Sequence, residues 1–168
     1  MNFKIIFLST IILSVITFAQ NKKIKDTKTS VPMLIGKINR EAFQDSAFSW
    51  WFNSEYQMYE VDSTSLKAND GKLTNYDLTI VMGTWCSDSR REVPRFFKIL
   101  DYLKYPQNKI KIYAVDRNMK GVKNEVTSLN IKRVPTFIFY KNKKETGRII
   151  EEPKVTLEKD LTRIVSKK

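Results

Sequence analysis

The sequence predicts an α/β domain with a central mixed β-sheet flanked by helices, parallel at first and antiparallel at its end. Three observations predict it. Short apolar runs at Leu78–Met82, Ile110–Val115 and Thr136–Tyr140 have the length and composition of buried strands. Stretches with apolar residues three and four positions apart precede and separate these runs, which is helical spacing. The third run is followed by a turn at Asn142–Lys144 and a second strand-like stretch at Gly147–Glu151, a hairpin that makes the end of the sheet antiparallel.

The elements follow in chain order. Residues 1–19 have the layout of a secretory signal: Lys4, an apolar run from Ile5 to Phe18, then Thr17 and Ala19 at the −3 and −1 positions before Gln20. The run is short for a bilayer span, and no cysteine follows it to carry a lipid. The expectation is an exported chain, most simply to a bacterial periplasm. Residues 20–30 are polar and lysine-rich and read as a flexible leader, so residues 31–168 form the expected domain.

Asn39–Tyr59 reads as one helix with Phe43, Ala47, Trp50 and Trp51 on its apolar positions, an extra N-terminal helical segment ahead of the sheet. Its run FSWWFNSEYQMY suits core packing better than a binding platform. Asn69, Asp70 and Gly71 mark a turn before the first apolar strand. From Ser89 onward Val93, Phe96, Phe97, Leu100 and Leu103 line one helical face, and Pro94 lies inside that helix. Val122, Val126 and Leu129 suggest a further short helix, which would place helices on both faces of the sheet. Thr156 stands at an N-cap position ahead of Leu157, Leu161 and Ile164, with Glu158 and Asp160 in the first turn.

Composition narrows the function. The formal charge is +12, or +11 without Lys4, yet the lysines are scattered and no Arg-rich recognition helix accompanies them. Acidic partners are attracted to such a surface, and nucleic acid is not expected. There is no histidine, which excludes Cys-His hydrolases, His-containing zinc sites and histidine bases. No metal or cofactor motif is present. Cys86 is the single cysteine, so it is a free thiol or pairs outside the chain, including with a second copy in a homodimer.

Cys86 stands in GTWCSDSRREVP, between an apolar strand and a helix. At a helix N-terminus the dipole and the unpaired backbone N–H groups favour a thiolate. The backbone N–H of Ser89 is the expected donor to that sulfur. Arg90 and Arg91 add favourable charge, and Asp88 opposes it.

Three features together resemble the thioredoxin-like superfamily, in particular exported members with a Cys-x-x-Ser motif. TWCSDS lies between strand and helix, Pro94 follows Cys86 by eight residues, and IKRVPTFIFYKNKKE opens the next strand with a hydrophobic-Pro-Thr sequence. The resemblance covers Leu73–Lys168. It implies a thioredoxin-like fold with Cys86 and Ser89 as the catalytic pair of positions. It also implies a cis peptide bond at Val134–Pro135 facing Cys86, and Trp85, Val134 and Pro135 as substrate-binding residues.

Two departures from the family pattern shape the expected chemistry. Ser89 stands where the resolving cysteine belongs, and Ile80 stands where thioredoxins bury an aspartate that serves that second thiol. A one-thiol cycle remains: Cys86 captures a substrate as a mixed disulfide, and an outside thiol releases it. The expected activity is monothiol reduction or disulfide isomerisation, with protein thiols and disulfides or small thiols such as glutathione as partners. The alternative is a non-catalytic binding or chaperone-like module on the same fold. A one-cysteine peroxidase is disfavoured, because Gly83 and Thr79 stand where its Thr and Pro would be.

Overall fold

The computed structural model describes residues 21–69 and 71–166. The expected signal segment therefore lies outside the described residues, as does Asp70 of the expected turn. Six strands form one sheet: β1 (Lys22–Lys25), β2 (Pro32–Ile38), β3 (Asp77–Met82), β4 (Ile110–Ala114), β5 (Thr136–Lys141) and β6 (Lys144–Ile150). Their spatial order is β1-β2-β4-β3-β5-β6. Only β3 and β4 run parallel; every other neighbouring pair is antiparallel. Among the described residues four α-helices accompany the sheet: α1 (Ser46–Met58), α2 (Ser63–Leu66), α3 (Ser87–Tyr102) and α4 (Leu157–Val165).

The alternation of strand side chains divides the interior. Leu78, Ile80 and Met82 of β3, with Ile112 of β4 and Phe137 and Phe139 of β5, share one large core with the apolar faces of all four helices. Ile80, at the position of interest in the sequence, is fully buried in this core. Val81 points the other way, into a small cluster with Val115, Val126 and Val134.

That second face differs from expectation. Of the stretch Val122–Leu129 only Thr127–Leu129 turns, as a 3-10 segment, and no α-helix covers this side among the described residues. Local side-chain contacts shape the chain here: Asp116 accepts from the Asn118 and Lys120 N–H groups, and Glu125 from that of Lys123.

The N-terminal part also departs from expectation. Residues 22–25, expected in a flexible leader, are an edge strand whose Lys22 pairs with Ile35 and Lys25 with Pro32. The helix expected over Asn39–Tyr59 breaks at Asp45, which is extended at φ −61° and ψ 136°. Its carboxylate accepts from the Ala47 N–H as the N-cap of α1, and it pairs with Lys23 of β1. Arg40, in the 3-10 turn before the break, grips Asp101 of α3 through two hydrogen bonds of 2.7 and 2.6 Å.

Helix α3 runs unbroken through Pro94, with Val93, Phe96, Phe97 and Leu100 fully buried. It ends in a left-handed residue, Lys104 at φ 52°, where the Tyr105 N–H reaches the Leu100 carbonyl and the Lys104 N–H reaches that of Asp101. Asn142 and Lys143 both have positive φ, as a two-residue hairpin between right-twisted strands requires.

The sheet order decides which loops meet. The C-terminal ends of parallel β3 and β4, the start of antiparallel β5 and the β1–β2 turn all fall at the same end of the sheet. There Arg117, just past β4, forms a two-pronged ion pair with Asp26 of the β1–β2 turn, at 2.8 and 2.7 Å. Asp26 is buried, and it also accepts from Thr29 Oγ1 and the Lys28 N–H.

Hydrogen bonds from Arg117 and then from Thr29 hold the Asp26 carboxyl far below the usual carboxylate range. Hydrogen bonding from Lys23 lowers Asp45 in the same direction. Groups depressed in the folded state stabilise it above the unfolded value of about 3.9 and lose that contribution as pH falls toward their folded values. Thermal unfolding followed by circular dichroism should therefore give a Tm that is flat from about pH 5 to 7 and falls steeply below about pH 5. In Asp26→Asn the Tm at neutral pH should be lower and the acid decline shallower. An unchanged acid decline would contradict the role assigned to the pair.

Candidate active site around Cys86

Cys86 is the residue at which β3 has left the sheet and α3 begins; its φ of −91° and ψ of 129° are those of an N-cap. It is half-buried among Trp85, Met119 and Ile131 at the edge of the smaller cluster. Because β5 runs antiparallel to β3, with Thr136 opposite Val81, the residues before β5 are delivered to the same place. The Val134–Pro135 peptide bond is cis. The Cys86 Sγ–H donates to the Val134 carbonyl oxygen at 3.2 Å.

The Ser89 N–H does not serve the sulfur as expected: no capping hydrogen bond reaches the Cys86 side chain. The sulfur is turned instead toward the Val134 carbonyl, away from the first-turn N–H groups of α3.

Ser89 itself is wholly buried, and its Oγ accepts from the Gly83 N–H at 3.2 Å. The hydroxyl thus braces the end of β3 against the first turn of α3. That is a positioning contact, and a hydroxyl there offers no thiol to resolve a mixed disulfide.

The three charged neighbours are committed elsewhere. Asp88 pairs with Arg91 at 3.1 Å, and Arg91 also engages Glu92 and Glu152. Arg90 donates from Nε to the Thr84 carbonyl at 2.6 Å. The cation that does reach the site is Arg117, whose guanidinium lies over the Trp85 ring at 4.8 Å from its centroid. The hydrogen-bonded Asp26 carboxylate raises Arg117 further above its ordinary value.

Neither Arg117 nor Asp26 is legible as a site residue in the sequence, where they lie 91 positions apart. The one available signal is the place of Arg117, immediately after a strand that runs parallel to the one leading into Cys86. Loops at the carboxyl ends of parallel strands are where α/β sheets build their sites.

Trp85 is fixed from two more directions. Its Nε1–H donates to the Val115 carbonyl at 2.9 Å, and its ring folds back over Gly83. A Cβ at Gly83 would come within 2.6 Å of the indole Cε2 and Nε1 atoms, closer than real Cβ contacts come. Gly83→Ala should therefore dislodge Trp85 while the large core remains. Near-ultraviolet circular dichroism should lose tryptophan signal with the far-ultraviolet spectrum retained. Retention of both would contradict this packing.

No family model matches the chain. The mitochondrial thioredoxin O of rice, Oryza sativa subsp. japonica, is 39% identical over 66 residues, which cover 39% of this chain and 36% of that protein. The thioredoxin-like protein R548 of Acanthamoeba polyphaga mimivirus is 31% identical over 78 residues, covering 46% of this chain and 54% of the relative. The matches thus span about a third and about half the length of these curated relatives. In structure, the chain is similar to a Pseudomonas aeruginosa protein of unknown function at a TM-score of 0.50 and 15% identity, over 79% of this chain and 91% of that one. The mixed sheet with β5 returning beside β3, the Trp-Cys pair heading α3 and these sequence relatives agree: the chain has a thioredoxin-like fold and is similar to thioredoxins over part of its length.

Proposed function

We propose that the protein is an exported, monothiol thiol-disulfide exchange protein that uses Cys86 as its nucleophile and depends on an outside thiol for release. The observation that carries this reading is the placement of the Cys86 sulfur. It is half-buried at the N-cap of α3, 3.2 Å from the Val134 carbonyl, while the Ser89 hydroxyl is buried against Gly83.

The Cys86 thiolate attacks one sulfur of a disulfide R–S–S–R′. The bond between the two substrate sulfurs breaks, a bond from Cys86 to R–S forms, and R′–S⁻ leaves with the electron pair. Attack requires the sulfur to leave the Val134 carbonyl. That carbonyl and the backbone beside it are then free to pair with an extended substrate segment, as a short strand addition.

Release follows one of two balanced routes. If a second thiolate of the substrate attacks, a new substrate disulfide forms, Cys86 leaves as thiolate, and the net reaction is isomerisation. If two external thiols act in turn, they are oxidised to their own disulfide, and the substrate disulfide is reduced to two thiols. Glutathione or a protein thiol can fill that role. The layout of residues 1–19 supports a periplasmic location, where disulfides persist and such exchange has substrates.

Capture of partners tests this reading. Non-reducing electrophoresis of the native extract should show adducts that collapse to the monomer on reduction and are missing from Cys86→Ala. A covalent dimer alone would restrict capture to a second copy of the chain. Absence of any adduct, after alkylation quenching at several pH values, would sink the exchange reading and leave a non-catalytic binding module.

A further inference from the structure

A groove of about 370 Å³ opens beside Trp85, between the β1–β2 turn, α1 and the start of α3. We infer that this groove is a specificity subsite for an acidic segment flanking the disulfide of a protein substrate, with Arg90 as the residue that reads its carboxylate. The inference rests on the exchange reading only in placing that disulfide at Cys86.

The walls are apolar and open. Trp50, on the exposed side of α1, is 65% exposed and Val31 is 48% exposed, and both line the groove with Trp85. Exposed Trp50 and Val31 beside half-buried Trp85 form a surface on which an apolar stretch of polypeptide gains by burial.

Charge sets the sign of the occupant. Asp26 lines the groove, but its carboxylate already accepts four hydrogen bonds, two of them from Arg117. Arg90 also lines it, tethered by its Nε bond to Thr84. Among the described residues its two terminal nitrogens have no partner. A planar guanidinium held at its stem, with its terminal N–H donors unspent, suits a carboxylate. Arg117, the other cation on the wall, is neutralised by Asp26, so Arg90 carries the unbalanced charge of the groove.

Position ties the groove to the chemistry. Trp85 forms part of its wall and directly precedes Cys86. Arg117, on the groove wall, lies over the same indole. A polypeptide captured at Cys86 would therefore pass its neighbouring residues over Trp85 into the groove.

The test uses short cysteine-free synthetic peptides, so that binding is read without exchange. One carries Asp and Glu around a central serine, and its twin carries Asn and Gln. Quenching of intrinsic tryptophan fluorescence should show the acidic peptide binding about tenfold more tightly at low salt, with the preference shrinking at about 0.5 M salt. Arg90→Gln should erase the preference, and Arg90→Glu should turn it toward a Lys-containing twin. Equal affinity for the first pair, or a preference that survives in Arg90→Gln, would overturn the inference. Displacement of the acidic peptide by an equal concentration of glutathione would assign the groove to a small thiol and overturn it as well. Exchange with a disulfide-bearing version of the neutral peptide is followed in parallel. Its loss with charge preference intact counts against the exchange reading alone; its presence without charge preference counts against the groove alone.

Discussion

Val81 lies opposite Thr136 where β3 leaves the sheet and β5 enters it, and this antiparallel register brings Cys86 and Val134 into contact. Everything proposed at the site depends on it. A slip of one residue would turn the side chains of β5 to the opposite faces of the sheet and remove Phe137 and Phe139 from the large core. The register is therefore held by apolar burial across the whole strand. The site inherits that rigidity, and with a single cysteine the chain has no internal disulfide to add to it.

A second constraint runs across the sheet end. Asp26 joins Arg117, Arg117 covers Trp85, and Trp85 folds onto Gly83, whose N–H in turn meets Ser89. The contacts link the N-terminal hairpin to the first turn of the nucleophile's helix. Within the motif Ser89 braces the loop and Ile80 fills the core. On the exchange reading proposed above, one sulfur carries the chemistry, beside a groove lined by Trp50, Trp85 and Arg90.

Much of this was legible in the sequence, for identifiable reasons. Strands β3 and β5 are apolar runs because most of their residues are buried, β4 alternates with Lys111 exposed, and α3 and α4 carry clear apolar stripes. Thr156 announced the start of α4 by its chemistry, and its side chain accepts from the Lys159 N–H. Strand β1 was hidden because Lys-Lys-Ile-Lys is an edge sequence, polar where water reaches it. The break at Asp45 was hidden because the aromatic spacing continues across it, while the pairing with Lys23 that favours it is tertiary. Cys86, Trp85 and Val134–Pro135 could be placed together by resemblance. Arg117 and Asp26 could not, because only the folded sheet brings residues so distant in sequence to one end.

On the exchange reading, Cys86 captures and holds a substrate, and release is supplied from outside. The most direct measurement starts from purified protein carrying a peptide on Cys86 as a mixed disulfide, the peptide having no other cysteine, and follows its loss by intact-mass spectrometry. The account predicts no release on the timescale of exchange until a thiol is added, and then a rate proportional to thiol concentration. Release without added thiol would contradict it, because some group within the chain would then be doing what Ser89 is placed and built unable to do.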